Sequence, residues 1–431
     1  MNQIPQFLIA APSSGTGKTT IARGLMGLLK RHGYHVQPFK CGPDYIDTKF
    51  HASMCGQPSV NLDAFMASEY HLQEVYTHYA KDAEVCVVEG MMGLFDGYDR
   101  DKGSCSEVAR ILSLPIILVV DAKSAAYSLA PLLKGFLQFS DQIRIIGVIF
   151  NRVGSPRHMS LLRQVCDDVR VECLGFLPTN KELVQTSRYL GLDFSQDDHA
   201  TERLVDEMEK HIEWQRLLEL TMTERPEWMG NSLFRFPFSE RLKPTDNKIW
   251  VARNEESFSF IYQEHLDILR RYGEVRFFNP EENQPIPLDL DLLYLPGGYP
   301  EKHLDTLFAA NQTRQSILEF AELGGNVMAE CGGMMYLCQS IVHENGEVQM
   351  VGFLPYKVSI RQKERKMSLG YRQLTIDGKR LHGHEFHYSQ FIDDIPTSAV
   401  QVYNAKGDSV SSPFIKKKNV WASYTHLYWG L

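Results

Sequence analysis

Ala11-Pro12-Ser13-Ser14-Gly15-Thr16-Gly17-Lys18-Thr19-Thr20 decides the reading of the first half of the chain. It follows a nearly continuous apolar run, Gln6–Ala11, and precedes a helical pattern that extends through Arg31. Pro12 stands where the usual G-x-x-x-x-G-K-[ST] loop opens with glycine, but Gly-Lys-Thr is kept at the strand-to-helix junction. Small residues at 13–17 let backbone N–H groups converge on phosphate oxygens, and the helix N-terminus adds the positive end of its dipole. Lys18 then pairs with outer phosphates, and Thr19 offers a hydroxyl to Mg²⁺, a hard ion that takes oxygen ligands.

Outward from this loop, short β-branched runs alternate with longer amphipathic stretches over the first 190 residues, as strand–helix–strand units require. Gln6–Ala11, Val85–Glu89, Ile116–Val120 and Ile145–Phe150 read as strands covered on both faces. Ligands of such sheets sit beyond the carboxyl ends of the strands, so Glu89 and the acidic loop Lys40-Cys41-Gly42-Pro43-Asp44-Tyr45-Ile46-Asp47, after the short strand Val36–Lys40, are candidates. A metal site built on Thr19 is expected to take Glu89 and one of Asp44 and Asp47.

From about Thr221 to Asn247 neither period survives, and a linker is expected there. A second α/β set follows: Lys248–Arg253, a helix over Ser257–Tyr272, Glu274–Phe278 and Leu290–Leu295. The expected domains are therefore 1–244 and 245–431. In the second, Val327-Met328-Ala329-Glu330-Cys331-Gly332-Gly333 is a strand running into a sharp glycine-flanked turn and a helix, a nucleophile elbow in which the helix end lowers the thiol pKa. Gly298, in Pro296-Gly297-Gly298, and the amide of Gly332 are the candidate oxyanion donors, and His426 the candidate base. His382, His384 and His387 suggest a metal at first sight, but strand alternation sends the third to the other face.

Composition narrows the class. Forty-five basic against 53 acidic side chains leave −8, which disfavours coating nucleic acid. Met1–Ala11 lacks the charge and length of a signal sequence, and runs such as Leu114–Val120 are of strand length, so neither secretion nor membrane insertion is expected. Eight cysteines without a C-x-x-C pair read as reduced thiols of a cytoplasmic protein. Pro355–Arg380 carries eight basic residues against Glu364 and Asp377 and is a candidate border for an anionic substrate.

Three motifs of the first half, Ser-Ser-Gly-Thr-Gly-Lys-Thr-Thr, Lys-Cys-Gly-Pro-Asp-Tyr-Ile-Asp and Val-Glu-Gly-Met-Met-Gly-Leu-Phe-Asp-Gly, resemble the cobyrinate a,c-diamide synthase family. The second half is similar to its class I glutamine amidotransferase domain in Leu-Pro-Gly-Gly-Tyr-Pro-Glu, Ala-Glu-Cys-Gly-Gly-Met-Met-Tyr-Leu, Gly-His-Glu-Phe-His-Tyr-Ser and Ala-Ser-Tyr-Thr-His-Leu. The resemblance implies a dethiobiotin-synthetase-like P-loop domain, a parallel sheet with flanking helices, that phosphorylates a carboxylate with ATP and Mg²⁺. It implies that Cys331 and His426 hydrolyse L-glutamine and that the ammonia amidates the a- and c-acetate groups of a corrinoid substrate. By the same resemblance Ser14, Gly15, Thr16, Gly17, Lys18, Thr19, Thr20 and Asn151 bind ATP, with Asn151 at the adenine. Asp44, Tyr45 and Asp47 lie beside the carboxylate being activated, and Thr19, Asp47 and Glu89 bind the metal. His426-Leu427-Tyr428 stands where many class I amidotransferases have His-Pro-Glu, which leaves the third triad member unassigned. The same amidation on hydrogenobyrinate or nickel-sirohydrochlorin is the alternative within this chemistry. A partition-type nucleotide switch with an inactive amidotransferase half is the alternative outside it. No nucleic acid or membrane partner is expected, and a homodimer is compatible with all these features.

Overall fold

The near-continuous apolar runs become the centre of a parallel sheet. The computed structural model describes residues 3–179, 198–225, 227, 236–238, 240 and 242–430. Its chain separates into two units, Met1–Ser232 and Leu233–Leu431.

The first unit runs β1 (Gln3–Ala10), α1 (Lys18–Arg31), β2 (Val36–Cys41), α2 (Asp47–Cys55), β3 (Val60–Leu62), α3 (Glu69–Ala80), β4 (Val85–Glu89), α4 (Cys105–Ile111) and β5 (Ile116–Asp121). It continues through α5 (Leu129–Gln138), β6 (Ile145–Val153), α6 (Pro156–Val169), β7 (Glu172–Pro178), α7 (Asp198–His211), α8 (Trp214–Leu220) and β8 (Met222–Glu224). The sheet order is β3-β2-β4-β1-β5-β6-β7, all parallel, with β8 antiparallel to the start of β1. Phe7 and Ile9 of β1, Val87 of β4 and Ile117 and Val119 of β5 pack on Ile21, Leu25 and Leu28 of α1, which explains why these strands carry almost no polar residue. Beyond the carboxyl ends of β1, β2 and β4 lie the loops at residues 11–17, 42–46 and 90–104.

The second unit holds β9 (Asn247–Ala252), α9 (Gln263–Tyr272), β10 (Gly273–Phe278), β11 (Leu292–Leu295), α10 (Leu304–Ala309), α11 (Asn311–Glu322), β12 (Val327–Glu330) and α12 (Gly332–Leu337). Ten strands follow: β13 (Cys338–His343), β14 (Gly346–Gln349), β15 (Leu354–Ser359), β16 (Ser368–Ile376), β17 (Lys379–His387), β18 (Gln390–Ile392), β19 (Val402–Asn404), β20 (Phe414–Lys417), β21 (Val420–Ser423) and β22 (His426–Tyr428). A six-stranded sheet of order β10-β9-β11-β12-β21-β20 is parallel apart from its last pair. Two four-stranded sheets, β14-β13-β15-β18 and β19-β16-β17-β22, complete it.

Two expectations change. The helix expected over Ser257–Tyr272 starts only at Gln263, because the amides of Ser259 and Phe260 both donate to the carbonyl of Gly297, 2.9 Å away. The linker expected over 221–247 is only partly so, and its residues 226, 228–235, 239 and 241 lie outside the described ones. Phe236 and Phe238 belong to the second unit's core: Phe236 meets Trp429 edge-on at 4.9 Å and Phe238 stacks on Trp421 at 5.6 Å. Aromatic burial of this kind outweighs the local turn signal of the proline between them.

Candidate active sites

The phosphate loop is held from below by two neighbours in sequence. Asn151, at the end of β6, donates its Nδ2 to the Thr16 carbonyl (2.7 Å) and accepts the Arg152 amide (2.9 Å). Arg152 donates to the Gly15 carbonyl and pairs with Asp121 (3.3 Å). Asn151, expected at the adenine, is thus seen bonded to the loop backbone. Gly17 has φ +98°, and a Cβ there would meet Asn151 Nδ2 at 2.1 Å, so glycine is required on both conformational and steric grounds. No side chain caps the α1 N-terminus. Ser14 and Gly15 are exposed at the loop tip, Thr20 half-buried, and Lys18 is buried with its ammonium donating to the carbonyls of Ser13 (3.4 Å) and Met92. Burial pushes the Lys18 pKa down from the usual lysine value.

Beside the loop the expected acids converge on a cation that sequence reading did not single out. Lys40 Nζ lies 2.6 Å from Asp47 Oδ2, 3.1 Å from Glu89 Oε1 and 4.0 Å from Asp44 Oδ2. Burial opposes its charge, but the three carboxylates hold the pKa well above the usual lysine value. Glu89 is fully buried; Thr19 Oγ1 donates to its Oε1 (2.6 Å), and His51 Nε2 contacts its Oε2 (2.6 Å). Burial raises the Glu89 carboxyl, but Lys40, His51 and Thr19 outweigh it and leave Glu89 below the carboxylate range. Asp47 is pushed up to about 8, by burial first and by Glu89 second, against the pull of Lys40. Asp44 accepts the amides of Ile46 (2.8 Å) and Asp47 (2.9 Å) at the start of α2, while Tyr45 is buried next to it. A hydroxyl and carboxylates suit a hard divalent ion, and the ammonium between Glu89 and Asp47 shows that this pair accommodates a cation, so the residues fit Mg²⁺. Register explains the convergence: Lys40 pairs with Glu89 across β2 and β4, which puts both at one sheet end.

In the second unit Cys331 is the turn residue between β12 and α12, with φ 46° and ψ −107° and its amide donating to the Ser423 carbonyl (2.7 Å). This strained conformation matches the expected elbow. The expected low thiol pKa does not follow: burial pushes the Cys331 thiol up, neighbouring Glu301 adds to it, and the Gly332 amide offsets only part. His426 begins β22, whose register places it opposite His384 of β17. Their rings stack at 5.0 Å, while His387 stacks on Tyr424 at 3.7 Å, so the histidines separate onto different partners. Burial pushes His426 down to about 3, which leaves the imidazole neutral.

Gly297 shows how close His426 and Cys331 are. A Cβ on it would stand 2.3 Å from His426 Cε1 and 3.3 Å from Cys331 Cβ, so both groups flank one point. Gly332 touches Gly298 in the same way, its Cβ position lying 3.0 Å from the Gly298 nitrogen. Gly297→Ala would force His426 and Cys331 apart, and a displacement of about 1 Å between reacting groups costs about 10²-fold in rate.

Four of the eight basic residues in 355–380 are paired with acids, while Lys363, Arg365, Lys366 and Arg380 are exposed. Arg372 pairs with buried Glu385 (2.9 Å), Lys357 with Glu347 (3.2 Å), Arg361 with Glu364 (3.6 Å) and Lys379 with Glu240 (2.6 Å). Among the described residues no helix is long and apolar enough to cross a membrane.

Residues 7–192 match the model of the CobQ/CobB/MinD/ParA nucleotide binding domain, and residues 248–430 that of the CobB/CobQ-like glutamine amidotransferase domain. The chain is 38% identical over 436 residues to a hydrogenobyrinate a,c-diamide synthase of Brucella abortus, covering 98% of each. It is 36% identical to a cobyrinate a,c-diamide synthase of Caldanaerobacter subterraneus, covering 98% of this chain and 94% of that one. Against a cobyrinate a,c-diamide synthase of Listeria monocytogenes it is 38% identical, covering 99% and 96%.

Proposed function

The chain belongs to the cobyrinate a,c-diamide synthase family, glutamine-dependent amido ligases of cobalamin biosynthesis, and from that premise we propose that it converts the a- and c-acetate carboxylates of cobyrinate to amides. The observation that supports this most is that both halves keep their reactive groups: Lys18, Thr19 and Glu89 around the phosphate loop, and Cys331 with His426 about Gly297.

At the second unit, neutral His426 takes the Cys331 proton as sulfur attacks the glutamine carboxamide carbon. The amides of Gly298 and Gly332 receive the developing oxyanion. The C–N bond breaks, the proton on His426 leaves with ammonia, and water hydrolyses the thioester to glutamate and restores the thiol. Because the resting thiol is protonated, the thiolate forms only as the substrate carbon is attacked.

At the first unit, a substrate carboxylate oxygen attacks the ATP γ-phosphorus, releasing ADP and leaving an acyl phosphate. Ammonia attacks the acyl carbon, inorganic phosphate departs, and loss of a proton leaves the amide. Amides of Ser14–Thr20 and the Lys18 ammonium hold the phosphates, and Asn151 and Arg152 fix the loop that does so. Thr19, Glu89 and Asp47 would hold Mg²⁺, which neutralises charge on the transferring phosphoryl group. Asp44, Tyr45 and Asp47 border the carboxylate being activated, and Lys40, 2.6 Å from Asp47, offsets the negative charge that would repel that anion. The eight free thiols suit a reducing cytoplasm, where we place the enzyme.

Hydrogenobyrinate is the second reading, since relatives named for it are as similar as those named for cobyrinate. Mass spectrometry after incubation of each acid with ATP, Mg²⁺ and glutamine separates them. Two successive carboxylate-to-amide conversions on cobyrinate are expected. The same gain confined to the cobalt-free ring moves the assignment to the second reading, and gain on neither sinks both.

A further inference from the structure

We infer that Glu330, the residue before the nucleophile, is the carboxylate that positions His426 in place of the missing His-Pro-Glu glutamate. The inference rests on the reading of Cys331 and His426 as nucleophile and base. Tyr428 occupies the glutamate position of that triplet, and its hydroxyl donates to Glu264 of α9.

Glu330 ends β12, and both it and His426 are 2% exposed. Its Oε2 lies 4.0 Å from His426 Nδ1 and accepts the Tyr294 hydroxyl at 2.7 Å. Its Oε1 accepts the amide of Leu427, the residue after His426, at 3.0 Å. One carboxylate thus fixes the start of β22 through its backbone and faces the ring that this strand carries. The other nearby acid, Glu385, also favours a charged His426, but its oxygens are engaged by Arg372 (2.9 Å), Ser368 (3.0 Å), Thr425 (2.7 Å) and Ser412. On its other side the ring of His426 stacks on His384, which is an aromatic wall without negative charge. When His426 takes the thiol proton, the imidazolium forms beside Glu330. A buried carboxylate 4.0 Å from the ring, beyond direct hydrogen-bond reach, favours the imidazolium by charge. Burial pushes the Glu330 carboxyl up to about 8, whereas the Tyr294 hydroxyl and the Leu427 amide, which both donate to it, favour the ionised form that a neighbouring imidazolium favours too. Carboxylate and thiol are adjacent residues on one strained turn, so a single backbone segment sets the places of nucleophile and orienting acid.

The test measures glutaminase kcat and KM, and ammonium-supported amidation, for the full chain with Glu330→Gln, Glu330→Asp and Tyr294→Phe. Glu330→Gln keeps an acceptor for Leu427 but loses the charge. It is expected to lower glutaminase kcat by about 10²-fold, a moderate loss for an orienting acid. The KM for glutamine should stay within about twofold and ammonium-supported amidation unchanged, because only the transition state needs the imidazolium. Glu330→Asp, which keeps the charge, should fall between the two. A glutaminase kcat for Glu330→Gln within threefold of the unsubstituted enzyme overturns the inference, as does an equal loss with ammonium. Should Glu330→Gln not fold, Tyr294→Phe releases Oε2 while keeping the carboxylate; a lower glutaminase kcat with unchanged ammonium rate supports the inference, and no change overturns it. Cys331→Ala run alongside separates the two levels: glutaminase surviving in it refutes the site, whereas its loss there with none in Glu330→Gln refutes only the role of Glu330.

Discussion

Replacing Cys331 with alanine lowers glutamine-supported amidation by at least about 10⁴-fold, because without a nucleophile only binding and the oxyanion donors remain. Ammonium salts continue to support amide formation in the same variant, since ammonia is consumed at the first unit. The contrast between nitrogen sources carries the information. Cys331 is buried at a left-handed turn that a smaller side chain tolerates, so folding is not the expected casualty. The check is amide and glutamate formation measured together with each nitrogen source. Equal loss with both would sink the division of labour between the units.

Lys18→Ala should remove synthesis with glutamine and with ammonium alike, by about 10³-fold, the scale on which a single charge-stabilising donor acts at a reacting centre. The two buried lysines of this region differ in a way that makes the choice of Lys18 specific. Lys40 is balanced by carboxylates, whereas Lys18 rests on the carbonyl oxygens of Ser13 and Met92. A phosphate therefore gives the Lys18 ammonium a full anionic partner in place of neutral ones. ADP formation with ammonium as nitrogen source is the direct measurement. Retained ammonium-driven synthesis in Lys18→Ala would refute the phosphate-loop assignment.

What could be read from the sequence was what is local along it. The loop at residues 11–20 and the elbow at 327–333 each place chemistry, strand and helix within a dozen residues, so spacing alone located them. The parallel sheet was legible because its central strands are apolar almost throughout, with polar residues mainly at their ends. Lys40, His51 and Glu330 were not singled out, because their significance arises from pairing between distant segments. Lys40 acquires its role only when β2 lies beside β4, and Glu330 only when β22 returns past β12. A lysine and a glutamate near the ends of two short apolar runs, Val36–Lys40 and Val85–Glu89, were the available signal for the first. For the second it was the absence of a glutamate after His426-Leu427. Pairing within the basic segment was hidden for the same reason: Arg372 and Glu385 are 13 positions apart in sequence but 2.9 Å apart in space. The thiol pKa was misjudged because a sequence displays the helix end and not the burial that overrides it.

The short antiparallel pairing of β8 with β1 has a mechanical consequence. Gln3 lies opposite Glu224 and Pro5 opposite Met222, so the segments that enter and leave the first unit part from the same end of one small ladder. Tension applied between them loads the hydrogen bonds of that ladder one after another, as a zipper is opened, instead of shearing them together. The exit strand peels first and at low force. The remainder of β1 is clamped between β4 and β5 on both edges, and the phosphate loop hangs from its far end. Pulling on the chain that joins the two units would therefore be absorbed by β8, leaving the nucleotide end of the sheet undisturbed.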